Sequence, residues 1–276
     1  MNYIEALAYL DEHSNFERTG RVEDPSLAKI AAISDLLGEP QSAYKVVHVT
    51  GTNGKGSTAQ IITKLLMAHG LKVGTFASPH LERINERIMV DGEPIDDADF
   101  ADQIAAIAEV EVLAAVRPSF FEILTAVALR YFADVAVDVA VVEVGLLGRY
   151  DATNVCEADV AVITNIGRDH TDGKGEWRQA IATEKAGIIT EKSTLVTGVT
   201  DPELRAIFDA EGPDRVVSRG DDFEVSNDLY AVGGHLIDLR TPFGSYDQVL
   251  VPLHGSHQSD NAALAVVAVE AFFDRA

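Results

Sequence analysis

An α/β fold with a P-loop-type, mostly parallel sheet flanked by helices is predicted by three features of this 276-residue chain. Apolar strand-like runs alternate with helical patterns along its length. One run, Val46-Val47-His48-Val49-Thr50, feeds a glycine-rich turn that opens a helix. Another, from Val135 to Gly145, is nearly all apolar up to Glu143.

A first helix is expected at 25–37, ahead of the strand at 46–50. The helix at 57–69 has Ile61, Ile62, Leu65 and Leu66 at helical spacing, with Gly70 as its stop. A strand at 72–76 comes next, then helices at 97–111 and 120–132 and the apolar strand at 138–144. A strand at 160–165, a helix at 177–188 and a strand at 194–198 continue the alternation. The stretch 214–253 differs. Its short β-type pieces, broken by Gly233-Gly234 and Pro242-Phe243-Gly244, read as a small hairpin-rich β excursion attached to the main sheet. A helix at 261–273 ends the pattern, and no repeat, low-complexity tract or long linker divides the chain.

A hydrophobic content of 47% allows one large core or two modest ones. Acidic residues number 44 against 22 basic, a net charge of −22. That surface argues against nonspecific nucleic-acid binding and requires local positive groups wherever an anion is held. The acidity fits an ordinary soluble surface or adaptation to high salt. No apolar run reaches the roughly 18 residues that span a bilayer. The start, Met1-Asn2-Tyr3-Ile4-Glu5, lacks a basic region and an apolar signal core. Cys156 is the only cysteine, which excludes an internal disulfide and a cysteine metal cluster. A cytoplasmic protein without nucleic-acid or membrane partners is expected.

The turn after the first strand reads Gly51-Thr52-Asn53-Gly54-Lys55-Gly56-Ser57-Thr58. Glycines let backbone N–H groups converge on phosphate oxygens, and the helix dipole adds positive charge there. Lys55 is placed to reach the β- and γ-phosphates of ATP and Ser57 to ligate magnesium. The order Gly-Lys-Gly-Ser departs from the usual Gly-Lys-Ser/Thr.

Other polar residues fall at carboxyl ends of the expected strands, where parallel sheets bind ligands. Glu143 ends an apolar strand, either as a structural ion pair or, given the loop upstream, as a magnesium ligand. His170 follows the strand at 160–165, either as a hydrogen-bonded structural residue or as part of a cation site. Ser78, in Ser78-Pro79-His80-Leu81, is placed to face phosphates or metal. Asp151 and Arg149 sit in a polar loop, either touching substrate or tying the loop down. Phe120 and Phe121 either stack on a ring or fill the core, and Lys185 taken alone is an ordinary surface lysine. These residues describe a magnesium-dependent, ATP-using α/β enzyme.

In order, the motifs are Gly51 to Ser57, Ser78 to Leu81, Glu86-Arg87-Ile88, Phe121-Glu122, Glu143-Val144-Gly145 and Asp151 to Asn154. Asp169-His170-Thr171, Glu184 to Ile188, His257-Gln258 and Asn261-Ala262-Ala263 complete the series. Together they resemble the folylpolyglutamate synthase/dihydrofolate synthase branch of the Mur ligase superfamily, over nearly the whole chain. The resemblance implies that Lys55 and the loop from Gly51 to Thr58 bind the ATP phosphates and that Asn261 contacts the adenine end. It implies two magnesium sites drawn from Ser57, Ser78, Glu143 and His170. Lys185 would be carbamylated, and Lys55, Lys185 and His170 would act in catalysis. Ser119, Phe120, Phe121, Glu122 and Asp151 would line the pterin or pteroate pocket. The implied substrates of a monomeric enzyme are ATP, L-glutamate and a folate or dihydropteroate, joined through an acyl phosphate.

The family's Gly-Leu-Gly-Gly-Arg run is here Gly145-Leu146-Leu147-Gly148-Arg149, and Arg168 and Lys174 replace apolar residues, which bears on substrate-loop geometry. The family also implies a C-terminal glutamate-ligase domain with an Asp-Gly-Ala-His-Asn-Pro segment. Asp-Gly occurs here as Asp91-Gly92 and Asp172-Gly173, neither followed by Ala-His-Asn-Pro. Residues 1–276 are therefore expected to be the N-terminal and central ATP-binding part, a piece of a longer ligase or a chain unable to complete catalysis alone. The alternatives are a nucleotide- or pterin-binding module and a Mur-type ligase with another acceptor.

Overall fold

The computed structural model describes residues 1–19, 25–168 and 175–275. The N-terminal part runs α1 (Tyr3–Asp11), α2 (Phe16–Thr19), α3 (Ala28–Leu36), β1 (Lys45–Thr50), α4 (Lys55–Ala68) and β2 (Val73–Phe76). A short hairpin, β3 (Ile88–Val90) and β4 (Glu93–Pro94), leads to α5 (Asp97–Ala114), α6 (Phe120–Asp134) and β5 (Val139–Glu143). There follow β6 (Val160–Ile163), α7 (Trp177–Ala186), β7 (Thr194–Thr197), α8 (Pro202–Asp209) and β8 (Arg215–Ser218). The chain then forms β9 (Glu224–Ala231), β10 (Gly234–Thr241), β11 (Gly244–Val251) and α9 (His257–Arg275).

Among the described residues one sheet has the order β4-β3-β2-β5-β1-β6-β7-β8. From β2 to β8 all neighbours are parallel, whereas β3 runs antiparallel to both of its neighbours, β2 and β4. Asp91 and Gly92, both at positive φ, form that hairpin's turn. Asp91-Gly92 is thus a strand connector at the sheet edge.

β5 is buried at every position, because helices cover both faces of the sheet. Its alternate residues divide between two cores. Ala140 and Val142 join Val46 and Phe76 under α1, α3, α5 and α6. Val139 and Val141 join Val47, Val49, Val160 and Val162 under α4 and α9. Ala161, Ile163 and Leu195 pack beneath α7 and α8 in a third cluster.

The excursion after residue 214 divides differently from expectation. β8 belongs to the main sheet as its outermost strand, while β9 to β11 form a separate three-stranded antiparallel sheet. Its inner face, with Leu239, Ile237 and Val251, packs against residues of α9. The helix expected at 25–37 begins at Ala28, and that expected at 261–273 begins at His257. Among the described residues no helix is long and apolar enough to cross a membrane.

The topology sets the site. From β1 the chain crosses to β2 on one side, whereas β6 lies on β1's other side. Ligand crevices in such sheets lie beyond the carboxyl ends of the strands where connections diverge. Those ends carry Thr50, Glu143 and Ile163.

Candidate active site

The turn from β1 into α4 is shaped by close approach. Gly51 has φ 147°, and a Cβ there would lie 1.8 Å from the Thr164 hydroxyl. Gly54 has φ 80°, and a Cβ there would lie 2.3 Å from Asn261 Oδ1. Both positions require glycine. Thr58 makes the first intrahelical bond of α4, donating its N–H to Gly54 O at 2.9 Å. The amides of Lys55, Gly56 and Ser57 are therefore the helix's open donors, at the positive end of its dipole.

Four other candidate residues converge on this turn. Lys55 Nζ donates to Gly51 O at 3.1 Å, and Lys185 Nζ, wholly buried on α7, donates to the same oxygen at 3.0 Å. Glu143, at 4% exposure, lies against Gly56 and accepts the Ser78 N–H at 3.3 Å. Burial pushes its carboxyl up to about 7, opposed by the Lys55 ammonium and then by the Ser78 N–H. Among the described ion pairs Glu143 has no partner within 4 Å, so those residues do not supply the structural pair. Ser57 Oγ, one turn into α4, accepts from Gln258 Nε2 at 3.4 Å. Asn261 is buried against Gly54 and donates to Gln258 Oε1 at 3.0 Å. Thr58 points inward, its hydroxyl buried.

No group of three or more His, Cys, Asp or Glu among the described residues could hold a metal ion. The donors present are one buried carboxylate and the hydroxyls of Ser57 and Ser78. Such an oxygen set fits magnesium, which keeps waters and takes phosphate oxygens as further ligands. His170 lies outside the described residues, as do Asp169, Thr171 and Lys174.

The residues expected to line a pterin pocket occupy a second region. Ser119 and Glu122 form the capping box of α6, with Ser119 N donating to Glu122 Oε2 at 2.7 Å. Phe120 and Phe121 lie in the core, Phe121 with ring centroids 5.6 Å from Phe16 and 5.7 Å from Phe76. Asp151 is buried and accepts from Leu146 N at 2.7 Å and from Thr153 N at 3.0 Å. It ties its own loop, and burial raises its pKa against those bonds. Arg149 pairs with Glu211 near the end of α8.

Arg87 had no individual role in the motif reading. It is 1% exposed, paired with both oxygens of Glu17 at 2.7 Å, and donates through Nε to His80 Nδ1 at 2.8 Å. The cluster joins α2 to the Ser78–Leu81 loop. Burial, and then the Arg87 charge, lower the His80 pKa. The motif Glu86-Arg87-Ile88 carried the signal, but nothing in sequence spacing pointed to Glu17. A second feature without a sequence signal is the polar bracket from Thr164 and Asn165 that holds the turn.

Comparisons with known proteins agree with this geometry. The Mur ligase middle domain matches residues 49–269. A dihydrofolate synthase/folylpolyglutamate synthase of Mycobacterium tuberculosis is 44% identical over 273 residues, covering 91% of this chain and 55% of that protein. A folylpolyglutamate synthase of Lacticaseibacillus casei is 37% identical over 278 residues, covering 96% of this chain and 63% of its own length. Among solved structures, the M. tuberculosis folylpolyglutamate synthase complexed with ADP and AMPPCP superposes with a TM-score of 0.91 at 41% identity. That match covers 99% of this chain and 62% of the other. An FPGS–AMPPCP–folate complex matches with a TM-score of 0.91 at 35% identity, over 100% of this chain and 68% of that one. The chain thus spans between 55% and 63% of these two curated relatives.

Proposed function

The chain belongs to the Mur ligase family, and we propose that it carries the ATP-using part of a ligase that joins L-glutamate to a folate or to dihydropteroate. The observation that carries this reading is the convergence of Lys55, Glu143, Ser78 and Lys185 on one glycine turn at the sheet's carboxyl edge. The relatives named for folate synthases, and structures holding ADP, AMPPCP or folate, support the substrate class.

In the proposed reaction a substrate carboxylate attacks the γ-phosphate of ATP, forming an acyl phosphate and releasing ADP. The glutamate amine then displaces phosphate to form the amide. The open amides of Lys55, Gly56 and Ser57 would hold the phosphate oxygens, and Lys55 would leave Gly51 O to stabilise the charge that develops on the transferring group. Asn261, beside Gly54, would border the adenine end. Ser57, Ser78 and Glu143, with His170, would hold magnesium, which when bound neutralises phosphate charge. Lys55 and Lys185 both reach Gly51 O, so two ammonium groups crowd one carbonyl. Carbamylation of Lys185 would remove one of these cations and supply oxygens toward the metal.

Residues 1–276 are proposed as one ATP-binding unit, acting as a cytoplasmic monomer on small molecules. Ser119, Phe120, Phe121, Glu122 and Asp151 are proposed to border the pterin. The capping and core contacts of these residues support a role in shaping that wall. The share of the relatives that the chain spans favours one second reading, a nucleotide-binding unit that needs further residues for amide formation. A glutamate-dependent ADP-release assay with dihydropteroate and with tetrahydrofolate, on this chain and on any longer reading frame, tests both. Pterin-dependent turnover is the expected result in the longer form, and its absence there overturns the folate assignment.

A further inference from the structure

The turn that is proposed to hold phosphate has one peptide, Asn53–Gly54, whose Asn53 end is held from outside the turn. It has two glycines at positive φ, and its Gly54 lets the peptide between Asn53 and Gly54 rotate at little steric cost. That rotation matters, because a trans peptide points its N–H opposite its C=O. One orientation offers the Gly54 N–H to an anion, and the flipped one offers a carbonyl oxygen that repels it.

The structure holds one orientation from outside the loop. Asn53 N donates to Asn165 Oδ1 at 3.1 Å, and Asn165 Nδ2 donates back to Asn53 O at 2.8 Å. The carboxamide therefore pairs with both backbone groups of Asn53, much as a neighbouring strand would. Thr164 Oγ1 adds a second donor to Asn53 O at 2.7 Å, and Thr52 N donates to Asn165 O at 3.1 Å. With Asn53 O pinned toward β6, the Gly54 N–H is turned away from β6. Asn165 reaches this position because β1 and β6 are paired in register up to Thr50 and Ile163, which brings the two following segments side by side.

We infer that Asn165 is a positioning residue for the nucleotide: its carboxamide locks the Asn53–Gly54 peptide in the orientation that receives phosphate oxygens. The inference rests on the nucleotide reading given above and adds a residue to it. An alanine at 165 removes both side-chain bonds to Asn53. An aspartate keeps the acceptor for Asn53 N–H but sets a lone pair against Asn53 O. Either change leaves Asn53 O held by the Thr164 hydroxyl alone and so eases the flip, and the effect falls on ligands whose phosphate enters the turn.

The test compares ADP and AMP affinities of the whole chain, by competition against a fluorescent ADP analogue, for wild type, Asn165→Ala and Asn165→Asp, with thermal unfolding measured alongside. Two hydrogen bonds of about 0.5–1 kcal/mol each correspond to about a tenfold loss. The expected result is that ADP weakens about tenfold while AMP stays within twofold. The aspartate variant, of the same shape as asparagine, decides the matter if the alanine variant fails to fold. Unchanged ADP affinity in the folded variants overturns the inference, and so does an equal loss for ADP and AMP. If Lys55→Ala loses ADP while both Asn165 variants keep it, the nucleotide reading stands and Asn165 is only a structural residue. A wild-type chain with no preference for ADP over AMP overturns the nucleotide reading and this inference together.

Discussion

Leu147 holds φ at 61°, a left-handed conformation, in the run where the resembled family carries glycine. Thr50 Oγ1 fixes it there by donating to Leu147 O at 2.6 Å. Branching at Cβ makes this conformation worse, so Leu147→Val is expected to cost about 1–2 kcal/mol, whereas Leu147→Gly stays within about 1 kcal/mol of wild type. Urea unfolding midpoints check both. Glu143 stores a different cost. Its folded pKa, about 7, lies above its ordinary value of 4.5, so its contribution to stability is full below pH 4.5 and is lost as pH rises through 7. Glu143→Gln is therefore expected to stabilise the ligand-free protein at pH 8, by up to about 3 kcal/mol, with the gain vanishing towards pH 4.5. Equal stability of the two proteins at pH 8 would remove that account. Both residues sit where a ligand site is proposed, and such places commonly hold strain that the rest of the fold offsets.

At the scale of elements, the α6 capping box gives a clean division between structure and chemistry. Ser119→Ala is expected to lower stability by about 1 kcal/mol while leaving ADP affinity unchanged, measured by urea unfolding and nucleotide titration. The strongly periodic helices and the apolar strands were legible in the sequence, because burial on both faces leaves long unbroken apolar runs. Shorter pieces were not read from it. α8 spans eight residues, although Asp201 caps it and Pro202 opens it, a signature that could have found it. β3 and β4 are three and two residues long, too short for periodicity, and only the Asp91-Gly92 turn marked them. The β excursion was recognised by its glycines, but which strand joined which sheet depends on pairing across distant residues. The same limit applies to the site. Glycine turn, lysine and terminal glutamate announce themselves by local pattern. Glu17 on Arg87 and Asn165 on Asn53 are contacts over 70 and 112 positions, which only the folded chain creates.

For the whole molecule, a charge of −22 opposes the approach of any polyanion. The fold answers with a local arrangement: open amides, a helix N-terminus, Lys55 and Lys185 at one edge of the sheet. The chain spans 55% and 63% of two relatives, so ligation is a proposal to test on any longer reading frame, whereas the proposed nucleotide site is built from residues described here. The most direct measurement is calorimetric titration of ADP with magnesium into the wild-type chain and Lys55→Ala. The account requires saturable binding by wild type and at least tenfold weaker binding by the variant, with unfolding midpoints equal within error. Equal affinity in the two proteins, or no binding by a folded wild type, would contradict it.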